Sequence, residues 1–382
     1  AKSSVSKLVT LAQVVNADGY LRRQYVYYGA ARTGRWSGRA VQMQNLPRGS
    51  MKKFDEAVEA IRQYAGPADI DKIRAFGPPL EVVANCLKGA FRAPNGKRFI
   101  ACDLSTIEVR ILGWLAECLG INEVFEQGLD PYKSFGVRFY KKPYEAITKE
   151  ERQVCKPAVL QCGYQAGGGE LKRDKNGDVY KSGLWGYAEE YGVDMTQEAA
   201  AEAVALYRET YPEVVAFWRK CENASIAALQ TGEPQRVGPV VFGAVKPCKM
   251  LWILLPSGRR LHYIRPQLET EDGWDGTPRT KLSYEGNLIG KIWGCKHAYG
   301  GIWTENLCQA IARDVLVEGM LAADAGGFTL VGSTHDELLS LEDENSSLNL
   351  AALRQHMITR PTWAPDLMLD ADGWEDQIYR KE

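Results

Sequence analysis

The sequence predicts an α+β protein: an antiparallel sheet with helices, joined to a mainly helical region. Three observations carry this. Residues 120–235 hold a mainly helical pattern. Residues 236–290 switch to short apolar runs cut by Pro and Gly, and one acid stands at a strand-like end on each side of this stretch.

In chain order, residues 8–15 (LVTLAQVV) are broken by Gln13 and precede no clean small-residue cleavage site. They read as a buried helix rather than a secretion leader. Residues 51–64 and 80–90 read as short amphipathic helices, punctuated by Gly66-Pro67 and Gly77-Pro78-Pro79. Residues 98–103 (RFIACD) form an apolar run entering a carboxylate, as a buried strand would. A helix is expected from Thr106 to Cys118, with Ser105 as N-cap and Glu108 closing a capping box. The helical stretch beyond it is interrupted by a Gly-rich turn at 167–169 and a polar, hairpin-like patch at 173–178 (RDKNGD). The runs VVFG, KMLWILL and RRLHYI then read as strands. Residues 299–322 form one long helix. GFTLVGS and ELLSLE flank Thr334-His335-Asp336 as two antiparallel strands joined by a tight turn. Asp103 therefore ends a strand and Asp336 tips a hairpin, where a rigid sheet can present side chains.

With 382 residues the chain has room for two or three compact domains. Its apolar (45%) and charged (25%) fractions are those of a globular protein and argue against disorder. A formal net charge of −1 excludes no partner class, because active-site carboxylates offset a local basic cleft. Nine cysteines, an odd number without any C-x-x-C pair, argue against zinc sites and disulfide frameworks. They favour a reducing, cytoplasmic compartment. The single H-x-E, at 335–337, lacks the P-C-x-x-C partner of a zinc deaminase. Apolar runs such as Met250 to Pro256 are too short to span a bilayer.

Four segments could carry chemistry. Asp103-Leu104-Ser105-Thr106-Ile107-Glu108 is, taken alone, equally a strand-ending acid followed by a capped helix. Thr334-His335-Asp336-Glu337 is equally an ordinary turn, where Asp bonds the backbone two residues on. Arg152, Lys156, Leu160 and Tyr164 recur every four residues and form one helical stripe. Two cations on such a stripe commonly mark a solvated face. This stripe instead runs on into Leu160, Gly163 and Tyr164, a sequence that suits a triphosphate and a base. Arg32-Thr33-Gly34-Arg35 with Gln42, Gln44, Asn45 and Pro47 mixes arginines with amides, as phosphate and minor-groove contacts require; a polar loop is the simpler alternative.

In this order, T-G-R-W-S with Q-N-L-P, D-L-S-T-I-E-V-R, R-Q-V-C-K-P-A-V-L-Q-C-G-Y and T-H-D-E resemble the motif series of family A (DNA polymerase I-like) DNA polymerases. Tyr27-Tyr28-Gly29-Ala30, G-Y-Q-A-G-G and Glu305-Asn306-Leu307-Cys308-Gln309-Ala310 resemble the phage and prophage branch in particular. The similarity runs from about residue 25 to 345.

The resemblance implies a right-hand fold with a palm and mainly helical fingers. It implies a remnant of the thumb–palm junction at 1–28, palm at 29–119 and 299–382, and fingers at 120–235. The strand-rich stretch 236–298 stays open between palm and fingers. The resemblance assigns metal binding to Asp103, Asp336 and the Leu104 carbonyl, with two Mg²⁺ ions (Mn²⁺ the alternative), a set that hard oxygen donors suit. Arg152 and Lys156 would clamp the incoming triphosphate, with Lys156 as the acid that protonates pyrophosphate. Tyr164 would close over the nascent pair or the template base. Glu108 would pack under the sugar and disfavour a 2′-hydroxyl. Arg35, Gln44, Asn45 and Gln309 would hold primer and template, and His335 would position the primer end. The implied partners are primer–template DNA and dNTPs.

Three departures stand out. Leu160 replaces a customary aromatic residue, Tyr132 in Asp130-Pro131-Tyr132 replaces a phosphate-contacting His, and Pro157 interrupts the nucleotide-binding helix. Only a short stretch precedes the T-G-R motif, with no room for thumb or exonuclease, so a missing N-terminal segment on the same or another chain is expected. Two other functions stay open: a non-catalytic DNA-binding fragment of a larger or split polymerase, and a transferase of the same fold using ribonucleotides or an RNA template.

Overall fold

A computed structural model describes residues 2–46, 51, 53–174, 176–245, 249–272, 278–288 and 292–379. Pro47 of the Q-N-L-P motif and Cys248 lie outside the described residues. In chain order the helices and strands begin with α1 (Lys2–Val14), β1 (Tyr25–Ala30), β2 (Arg35–Gly38), α2 (Phe54–Arg62), α3 (Ile70–Arg74), α4 (Pro79–Asn85) and β3 (Lys97–Leu104). A helical series follows: α5 (Ile107–Ala116), α6 (Leu119–Glu126), α7 (Pro131–Tyr140) and α8 (Lys149–Cys162). After the small hairpin β4 (Leu171–Arg173) and β5 (Val179–Lys181) come α9 (Gly183–Glu190), α10 (Gln197–Thr210) and α11 (Pro212–Thr231). Six strands come next: β6 (Gln235–Val237), β7 (Val240–Val245), β8 (Met250–Leu254), β9 (Arg260–Asp272), β10 (Pro278–Asn287) and β11 (Trp293–Ala298). The chain ends with α12 (Gly300–Ala325), β12 (Leu330–Thr334), β13 (Glu337–Asp343), α13 (Leu350–Met357) and β14 (Ala371–Asp376).

Two compact units divide the chain. The first contains residues 1–105, 315–359 and 370–382, and the second residues 106–314 and 360–369. The divisions fall between Ser105 and Thr106, within α12, and on either side of residues 360–369. The strand-rich stretch falls in the second unit.

The first unit is built on an antiparallel four-stranded sheet of order β12-β13-β3-β14. Its central strands β3 and β13 are buried on both faces, which is why RFIACD and ELLSLE read as continuous apolar runs rather than alternating ones. On one face Phe99, Ala101, Leu339, Leu341 and Tyr379 form a core with Phe91 and Trp374. Each such fully buried apolar side chain contributes roughly 1.5–3 kcal/mol. Helix α1 forms where expected, but it is half-buried rather than buried. Only its Leu8, Leu11 and Val14 side packs on Val41, Leu46 and Leu87, and Val9 faces solvent.

The second unit pairs the helices α5–α11 with the antiparallel sheet β11-β10-β9-β8-β7-β6. Period-2 alternation buries Val240, Phe242, Leu251, Ile253, Leu261 and Tyr263 on one face. There Phe242, Tyr263 and Tyr284 surround the fully buried Trp303 of α12 in edge-on and stacked contacts. The Trp303 indole donates to Ser225 Oγ on α11 at 3.0 Å, satisfying its one polar group. Close approach also explains a glycine. A Cβ on Gly301 would lie 2.3 Å from the Tyr164 carbonyl oxygen, so only glycine lets the start of α12 meet the chain after α8.

The expected capping box at Ser105 does not form. Helix α5 starts at Ile107 behind Thr106, which is left-handed (φ 49°) and makes no side-chain cap. Ser105 N–H donates instead to the Asp370 carbonyl, and Glu108 is bonded elsewhere. The eight described cysteines carry free thiols, and all but Cys295 are buried. No described helix is long and apolar enough to cross a membrane.

Candidate active site

In the first unit, strand register decides where the acids meet. Asp103 on β3 stands opposite Glu337 on β13 and opposite Asp372 on β14. One step along, Leu104 N–H donates to the Asp336 carbonyl at 3.0 Å. Asp103 and Asp336, from opposite ends of the chain, are thus backbone neighbours at one end of the sheet, each half-exposed. His335 forms the exposed tip of the β12–β13 turn at φ 57°, a left-handed conformation that His tolerates better than most residues. Both acids therefore lie near a left-handed residue, Thr106 for Asp103 and His335 for Asp336.

Behind this pair sits a carboxylate that sequence reading did not single out. Glu337 is 2% exposed and accepts from the Tyr379 hydroxyl at 2.5 Å. Burial first, and then the Glu337 charge, push the Tyr379 phenol well above its ordinary value, so it stays a hydrogen-bond donor. The T-H-D-E motif carried a signal for Glu337; Tyr379, distant in sequence, carried none.

Arg35 on β2 reaches Asp336, with Nη2 3.4 Å from Oδ1. The β1–β2 hairpin that carries it is tied to β12, because Ser333 N–H donates to the Tyr25 hydroxyl at 3.1 Å. Gln44 and Asn45 lie in a 3₁₀ turn. The Gln44 amide covers Gly38 of β2, while Asn45 donates to Gln42 Oε1 and accepts from Lys7 at its carbonyl. Arg35, Gln44, Asn45 and His335 thus belong to the first unit; Gln309, half-buried on α12 with Glu305 3.4 Å away, belongs to the second.

The oxygen donors here fit a hard divalent cation. Among the described residues no cluster of three or more His, Cys, Asp or Glu side chains could hold a metal alone. Two carboxylates and a backbone carbonyl leave most positions to water and phosphate oxygens, as Mg²⁺ prefers and zinc does not.

In the second unit, α8 begins with a complete capping box. Glu151 N–H donates to Thr148 Oγ1 at 3.2 Å, and Thr148 N–H donates to Glu151 Oε2 at 3.0 Å. Such a cap stabilises by about 1 kcal/mol. The helix continues through Pro157, with Cys155, Ala158, Val159 and Cys162 buried and Arg152, Lys156, Leu160 and Tyr164 all half-exposed. Arg152, Lys156 and Leu160 therefore share one face of α8, while Tyr164 lies in the turn two residues past its end. Burial first, and then the Glu151 and Asp130 charges, push the Cys155 thiol up to about 12, leaving it a neutral packing group.

Arg152 Nε and Nη2 lie 2.8 and 2.7 Å from Asp130 Oδ2, while Asp130 Oδ1 caps α7 through the N–H groups of Tyr132 and Lys133. Tyr132 is 4% exposed. Its ring lies 5.0 Å from the Arg152 guanidinium and 5.9 Å from Lys156 Nζ, so it meets the two cations through its π face. Desolvation raises its phenol strongly. The Asp-Pro pair at a helix start signalled the cap, but nothing local signalled that Asp130 also holds Arg152. The Tyr164 hydroxyl donates to Glu108 Oε2 at 2.6 Å, joining the end of α8 to the start of α5.

A sequence model of DNA polymerase family A matches residues 2–231, more than half of the chain. This chain belongs to DNA polymerase family A. It is 32% identical over its whole length to the DNA polymerase of Bacillus phage SP02, of which it covers 56%. It is 25% identical over 134 residues to DNA polymerase I of Pseudomonas aeruginosa, covering 35% of this chain and 13% of that protein. It thus spans about half the phage relative's length, and far less of the bacterial enzyme is matched. A solved structure, the POL domain of Pol1 from M. smegmatis in complex with DNA primer-template and dNTP, shares the fold. The TM-score is 0.59 at 18% identity, over 99% of this chain and 51% of that one.

Proposed function

We propose that this family A chain is the core of a DNA-directed DNA polymerase, adding deoxynucleotides from dNTPs to a primer 3′-hydroxyl. The observation that carries the reading is the Leu104–Asp336 backbone bond, which joins the two acids at one end of a sheet. In it the first unit serves as palm and the helices of the second as fingers.

Family A DNA polymerases generally use divalent metal ions. Asp103, Asp336 and the Leu104 carbonyl would hold two Mg²⁺, which when bound activate the primer hydroxyl and stabilise the leaving pyrophosphate. Arg152 and Lys156 bind triphosphate oxygens, their side chains oriented by Asp130 and by the Tyr132 ring, and Lys156 supplies a proton to pyrophosphate. Leu160 gives the incoming nucleotide an aliphatic surface. Glu108, fixed by the Tyr164 hydroxyl, occupies the space a 2′-hydroxyl would need. Arg35, Gln44, Asn45, Gln309 and His335 contact primer and template. Since Arg35 also touches Asp336, its departure to a DNA phosphate would free that carboxylate for cation binding.

Primer extension on a DNA template with Mg²⁺, supplied with dNTPs or rNTPs, tests the reading. The parent chain is expected to extend with dNTPs alone. Glu108→Ala should raise ribonucleotide use about tenfold or more, the equivalent of about 1.4 kcal/mol of lost discrimination. Tyr164→Phe, which keeps the ring and loses the 2.6 Å bond, should produce a smaller rise in the same direction. A parent chain that extends with neither nucleotide class would defeat the proposal. Unaltered sugar selectivity in Glu108→Ala would remove that residue's role.

A further inference from the structure

The six-stranded sheet of the second unit has a second face, which the polymerase reading does not use. Paired residues on neighbouring strands share a face, so the register identifies it. One row runs Arg236–Val241–Leu254–Arg260. The next runs Gly243–Trp252–His262, and a third runs Val245–Met250–Ile264–Glu285–Cys295. Asn287 opposite Trp293 lies one step from Glu285–Cys295, on the side of the Trp252 row.

This face is aromatic and basic. Arg236, Arg260 and His262 are exposed, and so are Ile264 and His297. The Trp252 indole lies flat across Gly243, where a Cβ would come within 2.1 Å of the ring. The Arg260 guanidinium lies over the same ring, 4.6 Å from its centre. Trp293 is 52% exposed, and its indole N–H donates to Glu285 Oε2 at 2.7 Å. Glu285 also pairs with Arg265 at 2.9 Å, so the one carboxylate in these rows is already compensated. Positive character is confined to this part of the sheet, because farther out β9 carries Glu269 and Glu271 opposite Arg279 and Lys281.

A sheet face that carries guanidinium planes and an exposed indole, with its acid neutralised, has the chemistry of a stacking platform for single strands. Trp252 on β8 and Trp293 on β11 are three strand spacings apart, about 14 Å, which leaves room for two or three bases. We propose that this outer face binds single-stranded DNA, with bases stacking on Trp293 and on the Arg260–Trp252 pair and phosphates meeting Arg236 and Arg260. The choice of DNA as occupant rests on the polymerase reading, whose template has an unpaired segment.

The test is binding of a fluorescein-labelled oligothymidylate to the full chain by anisotropy, with an unlabelled blunt-ended DNA duplex saturating the duplex site. Arg260→Ala/Trp293→Ala should weaken binding at least tenfold, the loss expected for each base deprived of its stacking partner. The slope of log affinity against log salt should fall by about 0.7 for the one cation removed. Arg260→Lys/Trp293→Phe, which keeps charge and ring, should retain most of the affinity and so excludes a misfolded sheet as the cause. Oligothymidylate affinity within twofold of the parent in the double alanine variant overturns the inference. So does a change of oligomeric state on size exclusion with affinity unaltered, which would assign the face to self-association. Asp336→Asn separates the two readings, since it should stop extension while leaving oligothymidylate binding intact. A chain that never extends primers but binds single strands through Arg260 and Trp293 keeps this inference and loses the other.

Discussion

Asp103→Asn and Asp336→Asn should each lower primer extension by about three orders of magnitude or more, while DNA affinity and thermal stability stay near those of the parent. Asn preserves shape and one oxygen acceptor but removes the charge a hard cation needs. Losing that cation's stabilisation of the transition state costs several kcal/mol, with each 1.36 kcal/mol worth a factor of ten. Stability should change little. Asp336 gives up the charge in its 3.4 Å contact with Arg35, both side chains being partly exposed, and such pairs contribute about 0–1 kcal/mol. The neighbouring Leu104–Asp336 bond is made by backbone and survives both changes. Single-turnover extension and duplex binding, measured side by side, check this. If both variants extend at the parent rate, the acids are structural and the metal assignment is wrong.

The largest effect on stability is expected at Asp314. It is 5% exposed and accepts from Arg259 Nε at 2.8 Å, Ser257 Oγ at 2.6 Å and Arg313 Nη1 at 3.2 Å. Arg259 also donates to the Ala310 carbonyl at 2.9 Å, so this knot ties the β8–β9 turn to α12. Asp314→Ala would leave the buried Arg313 and the partly buried Arg259 without their carboxylate, a change that costs about 3–5 kcal/mol. For a unit of this size that is a fall in Tm of about 6–20 °C. Replacing both partners, as in Arg259→Met/Asp314→Leu, should recover part of the loss, because the Arg259 charge leaves with its carboxylate while Arg313 still loses its 3.2 Å contact. Differential scanning calorimetry of the single and double variants distinguishes the outcomes. A Tm for Asp314→Ala within 2 °C of the parent would show that water reaches the knot and that it does not hold α12.

Much of the fold was legible because its elements announce themselves locally. The switch from helical to strand patterning near residue 235 and the long helix before β12 appear where residue spacing indicated, and so do the strands flanking Asp103 and Asp336. The α8 stripe was legible in part: intervals of four place Arg152, Lys156 and Leu160 on one face whatever the helix packs against, whereas the helix ends at Cys162, before Tyr164. Local rules also misled. Ser105 and Glu108 spell a capping box, but the Asp370 carbonyl takes the Ser105 N–H and the Tyr164 hydroxyl takes the Glu108 carboxylate. Two tertiary bonds outcompeted a cap worth about 1 kcal/mol.

By itself, then, the sequence determined which residues form helices and strands, and that the two acids stand at strand ends. Those properties follow from periodicity and side-chain chemistry within a few residues. Only the tertiary structure decided that β13 pairs with β3 in the register that sets Asp103 beside Asp336. The same holds for Asp130 gripping Arg152 and for Tyr379 meeting Glu337. A strand's alternation specifies which face it buries, not which distant strand it joins, so those pairings are chosen by the packing of the whole unit.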